Sequence, residues 1–235
     1  MFYWHYYLMG FILIPGIILS LYAEIRVQTT YNKYSETIAE CGKTASEIAQ
    51  MFLNYAGLSH IQVVMCRGHL SDHYNHAKKV VALSESVYNS TSVSAIGIAC
   101  HEVGHALQYK SNYAPIKLRN FIIPICNASN SFLFILIFLG AIFYYTTLGT
   151  TFLWIGVGIF GLSVLLNLIT LPVEYNASKR AIQLVGKSTI LNGIETEQAK
   201  EVLKSAALTY VAALIVSVLN LLRLLFLVLG RRRRD

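Results

Sequence analysis

The stretch ACHEVGHALQ, Ala99–Gln108, decides how this chain is read. His101 and His105 stand four residues apart, so on a helix both imidazoles project from one face, about a turn from each other. That spacing lets both rings reach one zinc ion. Glu102, beside the first histidine, is placed to act as a base on water at the metal rather than as a ligand. Gly104 leaves room for another element to come close. The helix is otherwise apolar, and burying two imidazoles and a carboxylate without partners is costly. A metal ion is the partner that answers this cost. Histidines held only by polar neighbours are the competing explanation.

The surroundings are oily. Of 235 residues, 55% are hydrophobic and 13% charged, against about 25% charged in ordinary soluble domains. Mean hydropathy is +0.52, and much of the chain is expected to face lipid. The net charge of +7 is most concentrated at Arg231–Arg234, directly after an apolar run, a pattern suited to anionic lipid headgroups. The other basic residues are scattered, without interleaved aromatic platforms, so nucleic acid is not an expected partner. Cys41, Cys66, Cys100 and Cys126 lack ligand spacing and are expected to be unpaired thiols.

Four segments are apolar enough and long enough, at about 20 residues, to cross a bilayer. The first runs near Tyr6 to Ala23, with Trp4, Tyr6 and Tyr7 as interfacial aromatics. The second lies near Ser131 to Tyr145 and begins as early as Phe121. The third covers Thr151 to Val173, and the fourth Tyr210 to Leu229. The second and third read as a hairpin. The expected division is therefore a first transmembrane helix at 1–24, a domain carrying the HEVGH helix at 25–120 and a transmembrane hairpin at 121–173. A helical segment at 174–209 and a last transmembrane helix with its basic tail at 210–235 complete it. Within 25–120, Thr44–Asn54 has helical apolar spacing and Gly57 marks a stop. IQVVMC (61–66) and KKVVALS (78–84) read as strands, separated by a turn-rich RGHLSDHYNHA. Ser90, Thr91 and Ser92 offer N-caps for the motif helix, and Thr196 for the helix leading to the fourth span. The fold class is an α-helical integral membrane protein with about four transmembrane helices and a short β-element.

Two histidines do not complete a catalytic zinc site, which takes three protein ligands and keeps one position open. The other histidines are His5, His60, His69, His73 and His76. The acids downstream are Glu174, Glu195, Glu197 and Glu201. Two membrane crossings follow His105 and return the chain to the side it left. Glu174 is the first residue after that return, just past Pro172, and is the geometric choice for the third ligand. Glu195, Glu197 and Glu201 read as surface charges, several able to pair with Lys200 or Lys204.

These strings, with GHLSDHY (68–74), KVVALS (79–84), YAPIKLR (113–119), LPVEYNASKRA (171–181) and ALTYVAAL (207–214), give nearly the whole chain a resemblance to the YugP-like family of integral membrane zinc peptidases. The layout is also similar to HtpX-like and CAAX prenyl-type membrane proteases. In those, an E-x-x-A-D helix after a membrane hairpin supplies a ligating glutamate. Glu174-Tyr175-Asn176-Ala177-Ser178 occupies that place, with serine where the wider clan has aspartate, so support of the histidines by Ser178 does not carry over.

The resemblance implies a gluzincin-like α+β metallopeptidase domain and a zinc metalloendopeptidase that hydrolyses peptide bonds, with Zn²⁺ as cofactor and Glu102 as general base. It also implies a strand beside the active-site helix that receives substrate backbone. His69, Asp72 and His73 would then lie near the cleft, the alternative being an Asp72 that only fixes its turn. Tyr175, Asn176, Arg180, Tyr210 and His73 are the candidates for steadying the oxyanion. The implied partners are the lipid bilayer and a membrane-associated protein or peptide substrate, and the implied location is a bacterial plasma membrane. The face carrying the site stays open: the arginine tail argues for cytoplasmic termini, the HtpX-like proteases for a cytoplasmic site. The rival from another class is a non-catalytic membrane scaffold or quality-control adaptor with a structural zinc.

Overall fold

The computed structural model describes residues 10–188 and 190–232, the side chains of the last two excepted. Its elements run α1 (Ile14–Ser35), α2 (Ala45–Tyr55), β1 (Gln62–Cys66), β2 (His73–Asn75), β3 (Val80–Ser84), α3 (Glu85–Tyr88), α4 (Val93–Lys110), α5 (Ala114–Ile142), α6 (Thr147–Ser188) and α7 (Gly193–Arg232). They form two compact units. One comprises residues 1–22, 117–171 and 209–235, the other 23–116 and 172–208.

Among the described residues, three helices are long and apolar enough to cross a membrane: α5, α6 and α7 up to Gly230. Few residues in their apolar windows are buried, and Phe132, Phe134 and Leu168 stand largely exposed, so lipid is the solvent that suits them. The expected first span falls partly on residues 1–9, which, with Trp4, His5, Tyr6 and Tyr7, lie outside the described residues. The side chains of the Arg231–Arg234 tail do too. Within the first unit Leu153, Leu224 and Val228 form a small core.

The second unit carries the chemistry. Thr44 caps α2 through a reciprocal box with Glu47, satisfying two backbone donors that the helix start leaves open. Gly57 ends the following turn at φ +67°, a conformation that favours glycine. The sheet has the order β1-β3-β2, with β1 parallel and β2 antiparallel to β3. β2 lies within the stretch read as turns: three residues suffice because β3 offers them its free edge. The middle strand β3 is nearly all buried and packs with Ile48, Phe52 and Leu53 of α2 and Ile96, Ala99 and Val103 of α4.

Ser92 caps α4, its hydroxyl accepting from the Ala95 N–H. The helix ends in a double-bonded reversal. The Tyr113 N–H donates to the Gln108 carbonyl and the Asn112 N–H to the Tyr109 carbonyl, with Asn112 at φ +53°. This is the pattern that satisfies the last carbonyls of a helix.

α6 runs through Pro172 without a break, so the expected third span and the helical stretch from Glu174 form one helix. Two local readings are corrected. Asn192, not Thr196, caps α7: its side chain accepts from the Glu195 N–H while Glu195 accepts from the Asn192 N–H, both near 2.9 Å. Glu195 is therefore no surface charge. It is 4% exposed, and its other oxygen accepts from the Glu40 N–H at 2.8 Å, tying the chain before α2 to the start of α7. Glu197 does pair with Lys200 at 2.9 Å, whereas Glu201 takes Tyr34, Arg26 and Lys33 as partners.

Candidate metal centre

α4 and α6 meet with almost no side chain between them. A Cβ built on Gly104 would lie 3.1 Å from the Ala177 carbonyl carbon and 3.3 Å from its Cα, with the carbonyl oxygen nearer still. Only glycine lets the two backbones come this close. The approach brings the 101–105 face of α4 onto the 174–178 turn of α6.

One ligand atom each from His101, His105 and Glu174 lies within 4.8 Å of the others. Glu174 Oε2 stands 3.2 Å from His101 Nε2 and 3.4 Å from His105 Nε2. Two donors bound to one tetrahedral zinc at about 2.0–2.1 Å stand about 3.3 Å apart. The spacing is thus that of ligands sharing an ion, and a set of two histidines and a glutamate is one that catalytic zinc uses. The two imidazoles meet edge to face, 4.8 Å between centroids, and both Nε2 atoms approach the same Glu174 oxygen. Glu174 is 2% exposed and Glu102 7%; two carboxylates held this deep make the centre attractive to a cation. His105 feels the same field. Burial disfavours its charged form, but the Glu174 hydrogen bond, the charges of Glu102 and Glu174, and Gln108 outweigh that and raise its pKa above the usual histidine value.

Both rings are held from behind. His101 Nδ1 lies 3.1 Å from the Ser178 hydroxyl, and His105 Nδ1 lies 3.0 Å from Gln108 Oε1. Partners of this kind orient ligating histidines and fix their tautomers. The serine standing in the aspartate's place therefore does touch a histidine. Gln108, fully buried, was not singled out in the sequence at all. The signal was there, since Gln108 follows His105 by three residues and an apolar helix has few reasons to bury an amide.

The remaining candidates are spread more widely. Both Asp72 oxygens serve Ser84, accepting from its N–H at 2.7 Å and its hydroxyl at 3.1 Å, which pins the β2 end to β3. His69 packs edge-on against Tyr31, and exposed His73 turns its Nδ1 to the Ser71 carbonyl at 2.9 Å. Tyr175 is 51% exposed. Asn176 accepts from Arg180 Nε at 2.8 Å and from Gln108 Nε2 at 3.1 Å. Tyr210 belongs to the other unit. All four cysteines are free thiols, Cys100 and Cys126 buried.

A family model described as "Putative neutral zinc metallopeptidase" matches residues 9–229. The chain belongs to that family. It is also 40% identical over 223 residues to "Putative membrane protease YugP" of Bacillus subtilis (strain 168), covering 94% of this chain and 97% of the relative. No solved structure gives a significant match. Membership makes zinc the metal to set against His101, His105 and Glu174, and these donors suit it in ligand chemistry.

Proposed function

We propose that the chain is a membrane-embedded zinc endopeptidase whose metal is held by His101, His105 and Glu174 and whose general base is Glu102. The observation that carries the reading is the convergence of those three donors, from two helices, beside a buried glutamate that none of them needs as a ligand. A bound zinc ion supplies Lewis acidity there, polarising the scissile carbonyl and acidifying water. Glu102 accepts the proton of the attacking water and delivers it to the departing amine nitrogen. Gly104 keeps α4 and α6 close enough for Glu174 to reach both histidines. Burial of the pocket lowers the local dielectric and strengthens each of these charge interactions.

The same reading includes a fourth span, formed by the apolar start of the chain with the first turns of α1, and a gluzincin-like arrangement of α4 beside the three-stranded sheet. It also keeps the division at 24, 120, 173 and 209, a bacterial plasma-membrane location and membrane-associated protein substrates, in line with the membrane protease to which the chain is similar. Purified protein in detergent is expected to hold one zinc per chain and to cleave an unfolded protein substrate. Glu102→Gln should keep the zinc and lose hydrolysis, because the amide cannot take a proton. Zinc retained with no cleavage by the wild type would favour the scaffold reading instead; undiminished cleavage by Glu102→Gln would overturn the mechanism.

A further inference from the structure

Asn176 and Arg180 carry an assignment other than contact with substrate. A chain of hydrogen bonds runs from Arg180 to His105, and its polarity is forced at the far end. Arg180 has only donors. Its Nε lies 2.8 Å from the Asn176 side chain, so the Asn176 atom facing it is the carbonyl oxygen. That same oxygen lies 3.1 Å from the Gln108 side chain, so Gln108 must turn its NH₂ there. The backbone demands the same orientation, since the NH₂ also donates to the Val173 carbonyl at 2.7 Å. Gln108 Oε1 is then left facing His105 Nδ1 at 3.0 Å. An acceptor at that position requires Nδ1 to carry the hydrogen, which leaves the Nε2 lone pair turned toward Glu174.

We infer that Arg180, Asn176 and Gln108 are positioning residues that lock His105 into the one neutral tautomer able to bind metal through Nε2. The inference rests on the zinc reading above, but the lock itself is a property of the chain. Every member lies on α4 or on the α6 segment after Pro172. Arg180 is anchored a second time, its Nη1 donating to the Leu107 carbonyl at 3.3 Å, so the donor that sets the polarity cannot readily turn away. His101 has no such lock: its Nδ1 partner, the Ser178 hydroxyl, can serve as donor or acceptor. The two ligating histidines are thus held by different logic, one through an amide that the Val173 carbonyl and the Asn176 oxygen both orient, the other adaptable.

The test uses the full chain in detergent with histidine labelled by ¹⁵N, and reads tautomers in metal-free protein at alkaline pH, where the ring is neutral, alongside zinc affinity by competition with a chromophoric chelator. Wild type should show His105 as the Nδ1–H tautomer. Gln108→Met, close in shape but without an acceptor, should mix the tautomers and weaken zinc about 10–100-fold, the range that outer-shell partners command. Arg180→Met should act only slightly, because the Val173 carbonyl still holds the Gln108 NH₂ when Asn176 is released. Should Gln108→Met fail to fold, the wild-type tautomer still decides. An Nε2–H tautomer in wild type, or an unmixed Nδ1–H tautomer in Gln108→Met, would overturn the lock. Absence of zinc binding by a wild type showing the Nδ1–H tautomer would instead overturn the metal reading and leave the lock standing.

Discussion

Replacing Gly104 by alanine adds one methyl group, and the structure says where it goes. The new Cβ meets the Ala177 carbonyl group, 3.1 Å from its carbon and 3.3 Å from its Cα. All of the obstructing atoms are backbone, so no side chain can swing aside. To reach ordinary contact α6 must retreat by roughly 1 Å, and overpacking of this kind costs about 1–3 kcal/mol. The retreat acts on the site directly, because Glu174 and Ser178 flank Ala177 on the same helix. Glu174 Oε2 now stands 3.2 and 3.4 Å from the two Nε2 atoms. Lengthened by roughly 1 Å, these spans no longer suit donors at about 2.0–2.1 Å from one ion. Hydrolysis should fall about 100-fold, the usual cost of a 1 Å misplacement, and zinc affinity with it. The assay pairs chelator competition with thermal unfolding in detergent. Gly186→Ala is the control: nothing lies within 4 Å of its Cβ, and a helical Gly→Ala change there should stabilise by about 0.5–1 kcal/mol. Gly97→Ala, whose Cβ would meet Ala199 Cβ at an ordinary 3.4 Å, should be mild. Wild-type zinc affinity and melting temperature in Gly104→Ala would refute the reasoning.

Ser178→Ala removes the hydroxyl behind His101 Nδ1 and should weaken zinc about tenfold; Ser178→Asp should recover it, and chelator competition on the two variants reads the difference. Glu195→Ala strips acceptors from the Glu40 and Asn192 N–H groups and should cost about 2–4 kcal/mol of stability, seen as a lowered melting temperature with zinc affinity kept. His76 should titrate below the usual histidine value, because it is partly covered, stacked 3.8 Å from Tyr109, and faces Lys79. Its folded pKa is depressed, so the neutral ring's contribution is complete above the unfolded value and fades as pH falls through the folded one. An imidazole NMR titration placing His76 at or above the ordinary value would contradict this.

How much of this could be read from the chain depends on the range of the interaction. The facing of His101 and His105 is set by four-residue spacing on one helix, which any amphipathic reading recovers. Glu174 was reached by a topological argument, since a hairpin that leaves and returns brings its first polar residue back to where it started. β1 and β3 follow from β-branched runs and α2 from helical apolar spacing with its glycine stop, all within a few residues. What escaped depends on distant partners. β2 exists only because β3 lends it an edge, Glu195 is buried only because Glu40 comes to meet it, and Gln108 gains its meaning from Val173 and Asn176 on another helix. Glu195 reads as a surface charge until the Glu40 N–H, 155 residues away, proves to need it, and the role of Gln108 rests on the Val173 carbonyl 65 residues away.

The order of strands in the sheet carries a consequence for synthesis. β3 is the middle strand but the last of the three to be made, and β1 and β2 each pair only with it. Until Ser84 has left the ribosome, both earlier strands wait with open edges, β1 carrying VVM among its five residues. Long-range pairing of this kind is slow, and open edges invite wrong partners. Elongation therefore imposes a deadline, and α4, which follows after the short α3, brings Ile96, Ala99 and Val103 to the core that the sheet shares soon after it has closed.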